Sequence, residues 1–414
     1  MRLLVTTENH LSFGDAGRVY GEGPAKYSFW SNYLATFDEV LVLARVGAQR
    51  GAVREEARAD GPRVSFCALP DYLGPWQYLQ HLTELKKRVR DAVYRCDAYL
   101  LRVPGLVGTL AWRGIKRRGK PYALEVVGDP WDALSPGTVP SIFRPLYRRV
   151  ATRDLKAMCR GAAAVHYVTR GALQARYPAK DGAHVAGFSD ALMDSAFASP
   201  AIRAVRERRS ETASGQTLGK MPGNGGAPRE RFRVGFIGSL SQMYKGPDVL
   251  LRAAALCRER GMEFETAMAG DGRYAPAMKA LAGELGIAER TQFLGQLPFG
   301  EAVFQFLDSV DLFVMPSRAE GLPRALLEAM ARGCPCIGSN IGGIAEVLAA
   351  EELVPSGNAR ALADKIFEVA GDPERMKRMG ARNLEKAGEF NPEKLKEVRR
   401  AFFEYVKMQA SGGD

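Results

Sequence analysis

Two glutamates, Glu320 and Glu328, lie eight positions apart around the expected start of a helix. The apolar residues 311–315 before them predict a strand, and a Gly-Leu-Pro sequence from Gly321 predicts the helix start, because proline is tolerated in a first helical turn. At about 100° per residue, Glu328 comes within roughly 80° of the helix face that carries Glu320. The first turn offers N–H groups and a positive dipole end. Together these features favour an anion site flanked by two carboxylates that accept hydrogen bonds from hydroxyl groups.

Such a site suits a ligand that combines phosphates with hydroxyl-bearing rings, and a nucleotide sugar has both. The alternative is an amphipathic helix with a solvated face of glutamates, which is the common fate of a glutamate pair on a helix. That alternative leaves the next predicted strand, residues 335–338, and the Gly342-Gly343 turn unexplained. We therefore expect a binding site here rather than a plain surface helix.

Composition indicates the class of protein. The chain has 414 residues, 46% of them apolar and 25% charged, and this predicts a globular protein of two domains. We expect no signal peptide, because the N-terminus lacks an apolar core of about 7–15 residues and a small-residue cleavage site. We expect no membrane span, because no apolar run approaches about 18 residues. The six cysteines indicate buried reduced thiols rather than a zinc site or disulfides, which favours the cytoplasm.

Positive charge is concentrated in the first half of the chain. Residues 1–190 hold 28 Lys and Arg against 18 Asp and Glu, a net charge of +10 out of a total of +11. This excess suits an anionic acceptor or an anionic membrane surface. We expect no nucleic acid partner, because no nucleic-acid-binding motif is present. Basic faces on surface helices are as often merely solvated, and that alternative stays open. The clusters are Lys86-Lys87-Arg88, Arg113 with Lys116-Arg117-Arg118-Lys120, and Arg144 with Arg148-Arg149.

Strands alternate with helices in both halves, and this pattern predicts parallel sheets. Residues 210–230, rich in Gly, Ser, Thr and Pro, predict a linker or disordered loop. We expect an α/β protein of two doubly wound, Rossmann-like domains facing a cleft: residues 1–190, a partly disordered linker at 191–230, and residues 231–390. Predicted strands are 2–6, 40–45, 64–69, 98–103, 122–127, 163–169, 183–186, 232–238, 263–270, 291–294 and the two given above. Predicted helices include 75–94, 107–118, 140–160, 247–260, 274–286, 300–309 and 391–406.

Five short motifs in the second half have the order and spacing found in one known family. They are Gly238-Ser239-Leu240 with Lys245-Gly246, Ala269-Gly270-Asp271-Gly272, Phe293-Leu294-Gly295, Glu320 with Glu328, and Gly342-Gly343 with Glu346. Through them, residues 231–385 resemble the donor domain of the retaining family-4 glycosyltransferases, which have the GT-B fold. Residues 29–40, 128–137 and 166–178 resemble segments in the acceptor domains of bacterial polysaccharide-assembly enzymes.

The resemblance implies a retaining transfer of sugar from a UDP- or GDP-linked donor to a glycan or lipid-linked acceptor, in cell-surface polysaccharide biosynthesis. It also implies that residues 391–410 form a helix that returns to the first, acceptor-binding domain. We expect a cytoplasmic protein, peripheral at the inner membrane face. Two alternatives stay open: a sugar-nucleotide epimerase of GT-B fold, and a catalytically silent nucleotide-sugar-binding protein.

The family's functional residues carry over position by position. By the resemblance, Lys245 would neutralise the donor diphosphate, Glu320 would bind the transferred sugar, and Glu328 would accept hydrogen bonds from the ribose hydroxyls. Further expected donor contacts are Gly238, which lets the backbone approach the phosphates, the N–H groups of Gly321 and Leu322, Leu297 at the nucleobase, and Arg273 and Arg318 as additional diphosphate cations.

Two positions depart from the family pattern. Ser239 stands where the family commonly has arginine, and Asp129 stands where many members have a histidine. Asp129 either takes over part of the histidine's catalytic role or caps the next segment, and His10 could also face the cleft. Front-side attack, in which the departing phosphate accepts the acceptor's proton, needs no protein nucleophile. We find no Asp-x-Asp metal motif, and we therefore expect neither a catalytic metal nor a cofactor.

Overall fold

The computed structural model describes residues 1–21, 25–48, 55–136, 138, 141–188, 221–222, 228–229, 232–262 and 264–412. The chain divides into two compact units. The first consists of Met1–Pro130, Arg149–Leu192 and Leu395–Asp414, and the second of Trp131–Arg148 and Met193–Lys394. Residues 131–148 thus belong to the second unit, although the sequence places them within the expected first domain. Most of the expected linker at 191–230 lies outside the described residues.

A largely parallel sheet forms the centre of the first unit. Its strands are β1 (Arg2–Phe13), β2 (Val19–Gly21), β3 (Glu39–Gly47), β4 (Val64–Leu69), β5 (Ala98–Val103), β6 (Ala123–Val126), β7 (Ala164–Tyr167) and β8 (His184–Gly187). The order is β4-β3-β1-β5-β6-β7-β8, and β2 pairs antiparallel with β1. The helices from this part of the chain are α1 (Tyr27–Trp30), α2 (Gly74–Gln80), α3 (Leu82–Tyr94), α4 (Leu106–Arg117), α5 (Pro130–Ala133), α6 (Arg144–Gly161) and α7 (Ala172–Arg176).

Apolar side chains cover both faces of this sheet. Successive residues of β1 point to opposite faces, so Leu4 joins the core formed with α3 and α4, whereas Leu3 and Val5 join a second core. The second core includes Phe402 and Phe403 of the last helix, Pro392–Ser411. The first unit therefore includes the C-terminal residues of the chain.

The second unit contains a six-stranded parallel sheet and the short β9 (Met221–Pro222) and β10 (Pro228–Arg229) pair. The strands of the larger sheet are β11 (Phe232–Ile237), β12 (Phe264–Ala269), β13 (Thr291–Gly295), β14 (Leu312–Met315), β15 (Cys336–Ser339) and β16 (Leu353–Val354), in the order β13-β12-β11-β14-β15-β16. The helices are α8 (Pro247–Glu259), α9 (Ala275–Glu284), α10 (Glu301–Asp308), α11 (Arg324–Ala331), α12 (Ile344–Val347), α13 (Ala359–Ala370) and α14 (Pro373–Ala387), and the chain ends with α15 (Pro392–Ser411).

The expected fold class, two α/β units with parallel sheets, is confirmed. The predicted helix at 75–94 is instead two helices, α2 and α3, separated at His81. The predicted start of a helix at residues 321–323 was also wrong, because α11 begins at Arg324 and Pro323 still has an extended ψ of 119°. The argument that placed Glu320 and Glu328 on neighbouring helix faces therefore fails, since Glu320 lies in the loop before the helix.

All six cysteines are free, and all but the half-buried Cys67 are buried. Within the described residues, no helix combines the length and the apolar character that crossing a bilayer requires.

Candidate functional site

The strand order of the second sheet reverses between β11 and β14. From β11 the chain continues outward to β12 and β13, then returns to β14 on the other side of β11 and continues to β15 and β16. Because β11 and β14 are parallel neighbours, the loops that follow them leave the same edge of the sheet side by side. In open α/β sheets, ligands bind at the carboxyl ends of the strands where the order reverses.

The loops after β11 and β14 meet at Gly246. Its φ of +71° is left-handed, and a Cβ atom there would lie 2.1 Å from the carbonyl oxygen of Pro316. Only glycine fits this combination of backbone angle and close approach. Lys245, the residue just before it, is thereby fixed against the loop that carries Glu320.

The turn after β15 holds the other side of that loop. Gly342 has a φ of +42°, and a Cβ atom there would lie 2.1 Å from the carbonyl oxygen of Glu320. The N–H group of Gly343 donates to the carbonyl oxygen of Gly321 at 2.6 Å. The Gly342-Gly343 motif therefore positions the backbone of Glu320 and Gly321.

The remaining glycine motifs lie along the neighbouring strand ends. The N–H group of Gly238 donates to Ala269 at 3.0 Å, and that of Gly270 donates to Gly295 at 2.7 Å. The N–H group of Leu240 donates to the carbonyl of Asp271 at 2.9 Å. The motifs identified in the sequence thus gather at one edge of one sheet, which sequence order alone does not require.

Lys245 and Glu320 form an ion pair at the reversal point. The Nζ atom of Lys245 lies 2.7 Å from Oε1 of Glu320, and the Ser317 hydroxyl donates to the same oxygen at 2.8 Å. The side chains are 18% and 7% exposed, respectively. Burial by itself would lower the pKa of Lys245, but the Glu320 carboxylate and Tyr244 outweigh it and raise the pKa above its ordinary value. Lys245 is therefore a persistent cation that is partly accessible from solvent.

Glu328 is a buried carboxyl on α11. Nε of Arg324, one turn earlier, donates to its Oε1 at 2.7 Å. Burial raises the pKa of Glu328, and Arg324 opposes the shift only in part. The pair follows the i, i+4 spacing at which helical side chains meet.

The side chain of Arg318 has a structural role, because other residues of the second unit hold it. Its guanidinium donates to both carboxylate oxygens of Asp248, at 2.8 and 2.7 Å, and to the Met243 carbonyl at 3.0 Å. This two-pronged geometry fixes the loop after β14 to the start of α8. Two arginines were expected to supply the charge that the family's arginine provides at the position of Ser239. One of them, Arg318, already has a strong anionic partner.

Arg273 is the more accessible of these two arginines. Its Nε donates to the Ser241 carbonyl at 3.0 Å, and its guanidinium lies 4.9 Å from the centre of the Tyr274 ring. The hydroxyl of Ser239 accepts a hydrogen bond from the N–H group of Ser241 at 3.2 Å. Ser239 thus shapes the loop after β11 without adding charge.

The expected nucleobase contact, Leu297, follows β13 and is half-buried. Phe299, two residues later, is 43% exposed, and the Arg324 guanidinium lies 5.1 Å from its ring centre. Gly321 and Leu322 are half-buried in the loop before α11.

Asp129 belongs to the first unit, where it follows β6. It is buried and accepts hydrogen bonds from Arg176 and from the Tyr177 hydroxyl. Burial, reinforced by Asp129, raises the pKa of Tyr177. These contacts give Asp129 an architectural task, since they join the loop after β6 to α7. Also in the first unit, the His10 ring lies 2.6 Å from Asp71.

Sequence reasoning missed three residues: Ser317, Asp248 and Arg324. The signal for Arg324 was available, since an arginine four residues before a glutamate on a helix predicts an ion pair. Asp248 carries no such local signal, because its partner Arg318 lies 70 residues away. Ser317 meets Glu320 within a loop, where no helix or strand spacing predicts the contact. Among the described residues, no group of three or more His, Cys, Asp or Glu side chains is arranged to hold a metal ion.

The sequence of the second unit matches a known family model, "Glycosyl transferases group 1", over residues 220–386. Protein CapJ of Staphylococcus aureus is 26% identical over 318 residues, covering 77% of this chain and 73% of CapJ. The putative colanic acid biosynthesis glycosyltransferase WcaL of Escherichia coli is 33% identical over 131 residues, covering 30% of this chain and 32% of WcaL. The match with WcaL therefore concerns one part of each protein.

Solved structures share the architecture across the whole chain. A sucrose-phosphate synthase from Thermosynechococcus elongatus has a TM-score of 0.70 at 17% identity, covering 100% of both chains. Anabaena HepE in complex with UDP-glucose has a TM-score of 0.64 at 17% identity, covering 99% of both chains. At such identities the likeness establishes the fold, which is GT-B. The family model matched over residues 220–386 identifies that part of the chain as a group 1 glycosyltransferase domain.

Proposed function

We propose that the chain is a retaining glycosyltransferase that moves a sugar from a UDP- or GDP-linked donor to a glycan or lipid-linked acceptor in cell-surface polysaccharide biosynthesis. The observation that carries the proposal is the Lys245–Glu320 ion pair at the reversal of the strand order. A fixed cation can bind the diphosphate of a nucleotide sugar, and the carboxylate next to it can accept hydrogen bonds from the hydroxyl groups of the sugar ring.

Lys245 is suited to the diphosphate for two reasons. Its raised pKa keeps the ammonium group charged at neutral pH, and Gly246 fixes its backbone, so little reorganisation is needed when the ligand arrives. The N–H groups of Gly321 and Leu322 and the start of α11 are the proposed neutral donors to the phosphate oxygens. Arg273 is the proposed second cation, because Arg318 is held by Asp248.

The two glutamates have different proposed tasks. Glu320 receives hydrogen bonds from Lys245 and Ser317 on Oε1, so we assign the sugar hydroxyls to its other oxygen. Glu328 is proposed to accept from the ribose hydroxyls. Burial removes water from this carboxylate and raises its pKa. A hydrogen-bond donor that replaces the lost water therefore stabilises the charged carboxylate.

The proposed reaction needs no protein nucleophile. The bond between the anomeric carbon and the phosphate oxygen breaks as the acceptor hydroxyl oxygen attacks the same face of the sugar. The hydroxyl proton passes to the departing phosphate, and the electron pair of the broken bond stays on that phosphate. Lys245 stabilises the charge that develops there, which is the form of catalysis that a preorganised cation provides.

Two comparisons support the choice of donor and pathway. HepE, which shares the fold over 99% of both chains, has been solved in complex with UDP-glucose. The name of WcaL assigns it to colanic acid biosynthesis.

A donor assay tests the proposal. Thermal shifts with UDP-, GDP- and ADP-sugars would select the nucleotide, and NMR of the sugar first released by hydrolysis would show whether the anomeric configuration is retained. Lys245→Ala should abolish most of the turnover, whereas the exposed Lys377→Ala serves as a matched control. Inverted product contradicts retention. Isomerised sugar with free nucleotide and no acceptor indicates an epimerase, and tight donor binding without any product indicates a silent binding protein.

A further inference from the structure

An exposed apolar stripe lies at the start of α6. Ile142, Phe143, Leu146 and Tyr147 are 87%, 53%, 58% and 39% exposed, and Val150, one turn further, is 36% exposed. The N–H group of Tyr147 donates to the Phe143 carbonyl at 3.0 Å, so Phe143 is already part of the helical turn. Positions 143, 146, 147 and 150 recur with helical spacing and form one face about 10 Å long.

This spacing normally marks the face that a helix buries. Further along the same helix, Leu155, Met158 and Cys159 are buried. The first two turns carry the same kind of side chain, but in the described structure these side chains stay 36–87% exposed. Contiguous exposed apolar side chains of this size mark an interaction surface more often than a solvent-facing one.

The charged residues within the segment that carries the stripe are all positive, and the first acidic residue after it, Asp154, pairs with Arg153. Residues 141–153 contain Arg144, Arg148, Arg149 and Arg153 and no acidic residue. The Arg148 guanidinium lies 3.7 Å from the centre of the Trp131 ring, which is itself 38% exposed. Apolar and aromatic side chains bordered by arginines are typical of helices that lie in the interface of an anionic bilayer.

We propose that Ile142, Phe143, Leu146, Tyr147 and Val150, the α6 stripe, insert into the headgroup region of an anionic lipid bilayer. The charge distribution favours lipid over a second copy of this chain. A symmetric contact would place the same patch on both copies, and each arginine rim would then face another. Anionic headgroups instead neutralise the rim. This proposal deepens the proposed function and rests on it, because the proposed function gives membrane binding its purpose. A lipid-linked acceptor would then lie at the surface that holds the enzyme.

Sedimentation of the full chain with lipid vesicles tests this. At low salt, the protein should bind vesicles of phosphatidylcholine with phosphatidylglycerol, and bind vesicles of phosphatidylcholine alone much more weakly. Phe143→Ser combined with Leu146→Ser should weaken binding by about ten-fold or more, the scale expected for losing a buried apolar side chain. Arg149→Gln should weaken it by about five-fold on the anionic vesicles alone and reduce the salt dependence.

Matched controls separate insertion from a general loss of apolar surface. Phe367 and Met408 are 46% and 55% exposed and lie elsewhere, so Phe367→Ser with Met408→Ser should bind vesicles like the wild type. Donor hydrolysis in vesicle-free buffer should be the same for all these variants.

Three outcomes overturn the proposal: no wild-type binding to anionic vesicles, equal binding by the stripe variant, or a wild-type dimer that the stripe variant converts to a monomer. If the wild type binds vesicles but never cleaves a donor, the membrane surface stands and the proposed function fails. If donor cleavage is intact but vesicle binding is absent, the proposed function stands and the proposed membrane surface fails.

Discussion

The Nζ atom of Lys245 lies 2.7 Å from Oε1 of Glu320, although 75 residues separate them in the chain. The reversal of strand order brings them together, because Lys245 follows β11 and Glu320 follows β14, its parallel neighbour. The ion pair keeps a cation and a carboxylate in place before any donor binds. A preorganised pair of this kind costs little reorganisation during reaction.

Removing the cation should affect the chemical step. Lys245→Ala should lower kcat by about 10²–10³-fold, the scale of losing one preorganised charge stabiliser. Steady-state donor hydrolysis measures this, with Lys377→Ala as the control of equal size and charge change. A wild-type kcat for Lys245→Ala would mean that the diphosphate binds elsewhere.

Removing the charge of Glu328 should affect binding instead. The proposed ribose contact exists equally in the bound substrate and in the transition state, so Glu328→Gln should raise KM by about ten-fold and leave kcat nearly unchanged. Glu284→Gln, an exposed glutamate on α9, is the matched control. A fall in kcat at unchanged KM would contradict the ribose assignment.

The same residue should make stability depend on pH. The pKa of Glu328 is raised above its ordinary 4.5, so the folded state holds the proton more tightly than the unfolded state does. Its contribution to stability is complete below pH 4.5 and is lost as the pH rises through the raised pKa. Urea unfolding over this range should show the wild type losing stability relative to Glu328→Gln. A difference that is constant with pH would mean that Glu328 is ionised as readily in the folded state as in the unfolded one.

Twelve strands and their order of appearance could be predicted from the sequence, because both halves of the chain alternate apolar strands with amphipathic helices. The short strands β2, β9, β10 and β16 were not predicted. The five glycine and glutamate motifs also converge as the family resemblance implies. The start of α11 could not be predicted correctly from the sequence. Pro323 is compatible with a first helical turn, but the loop before it is held by Gly342 and Gly343, a contact with residues about twenty positions further on. The bond between Arg318 and Asp248 could not be predicted either, because nothing near Arg318 in the sequence indicates it.

Donor cleavage should not depend on a divalent metal. Lys245 and the N–H groups before α11 are proposed to carry the phosphate charge that a metal ion balances in other sites. Activity measured after dialysis against EDTA should equal that of untreated enzyme, and added Mg²⁺ or Mn²⁺ should not increase it. Activity lost to EDTA and restored by either ion would contradict the proposed role of Lys245.

The last prediction concerns the glycine that fixes Lys245, and α8 provides its control. Gly246 precedes this helix and Gly261 follows it, with φ angles of +71° and +81°. A Cβ atom at Gly246 would lie 2.1 Å from the Pro316 carbonyl oxygen, whereas at Gly261 it would meet nothing within 4 Å. Gly261→Ala should therefore cost about 1–2 kcal/mol, the cost of a left-handed alanine. Gly246→Ala should cost about 3 kcal/mol or more, because the Pro316 loop must also move. Urea unfolding measures both, and donor hydrolysis by the folded fraction should fall only in Gly246→Ala. Equal losses of stability and unchanged hydrolysis would mean that the loop after β14 yields to the new methyl group without displacing Lys245.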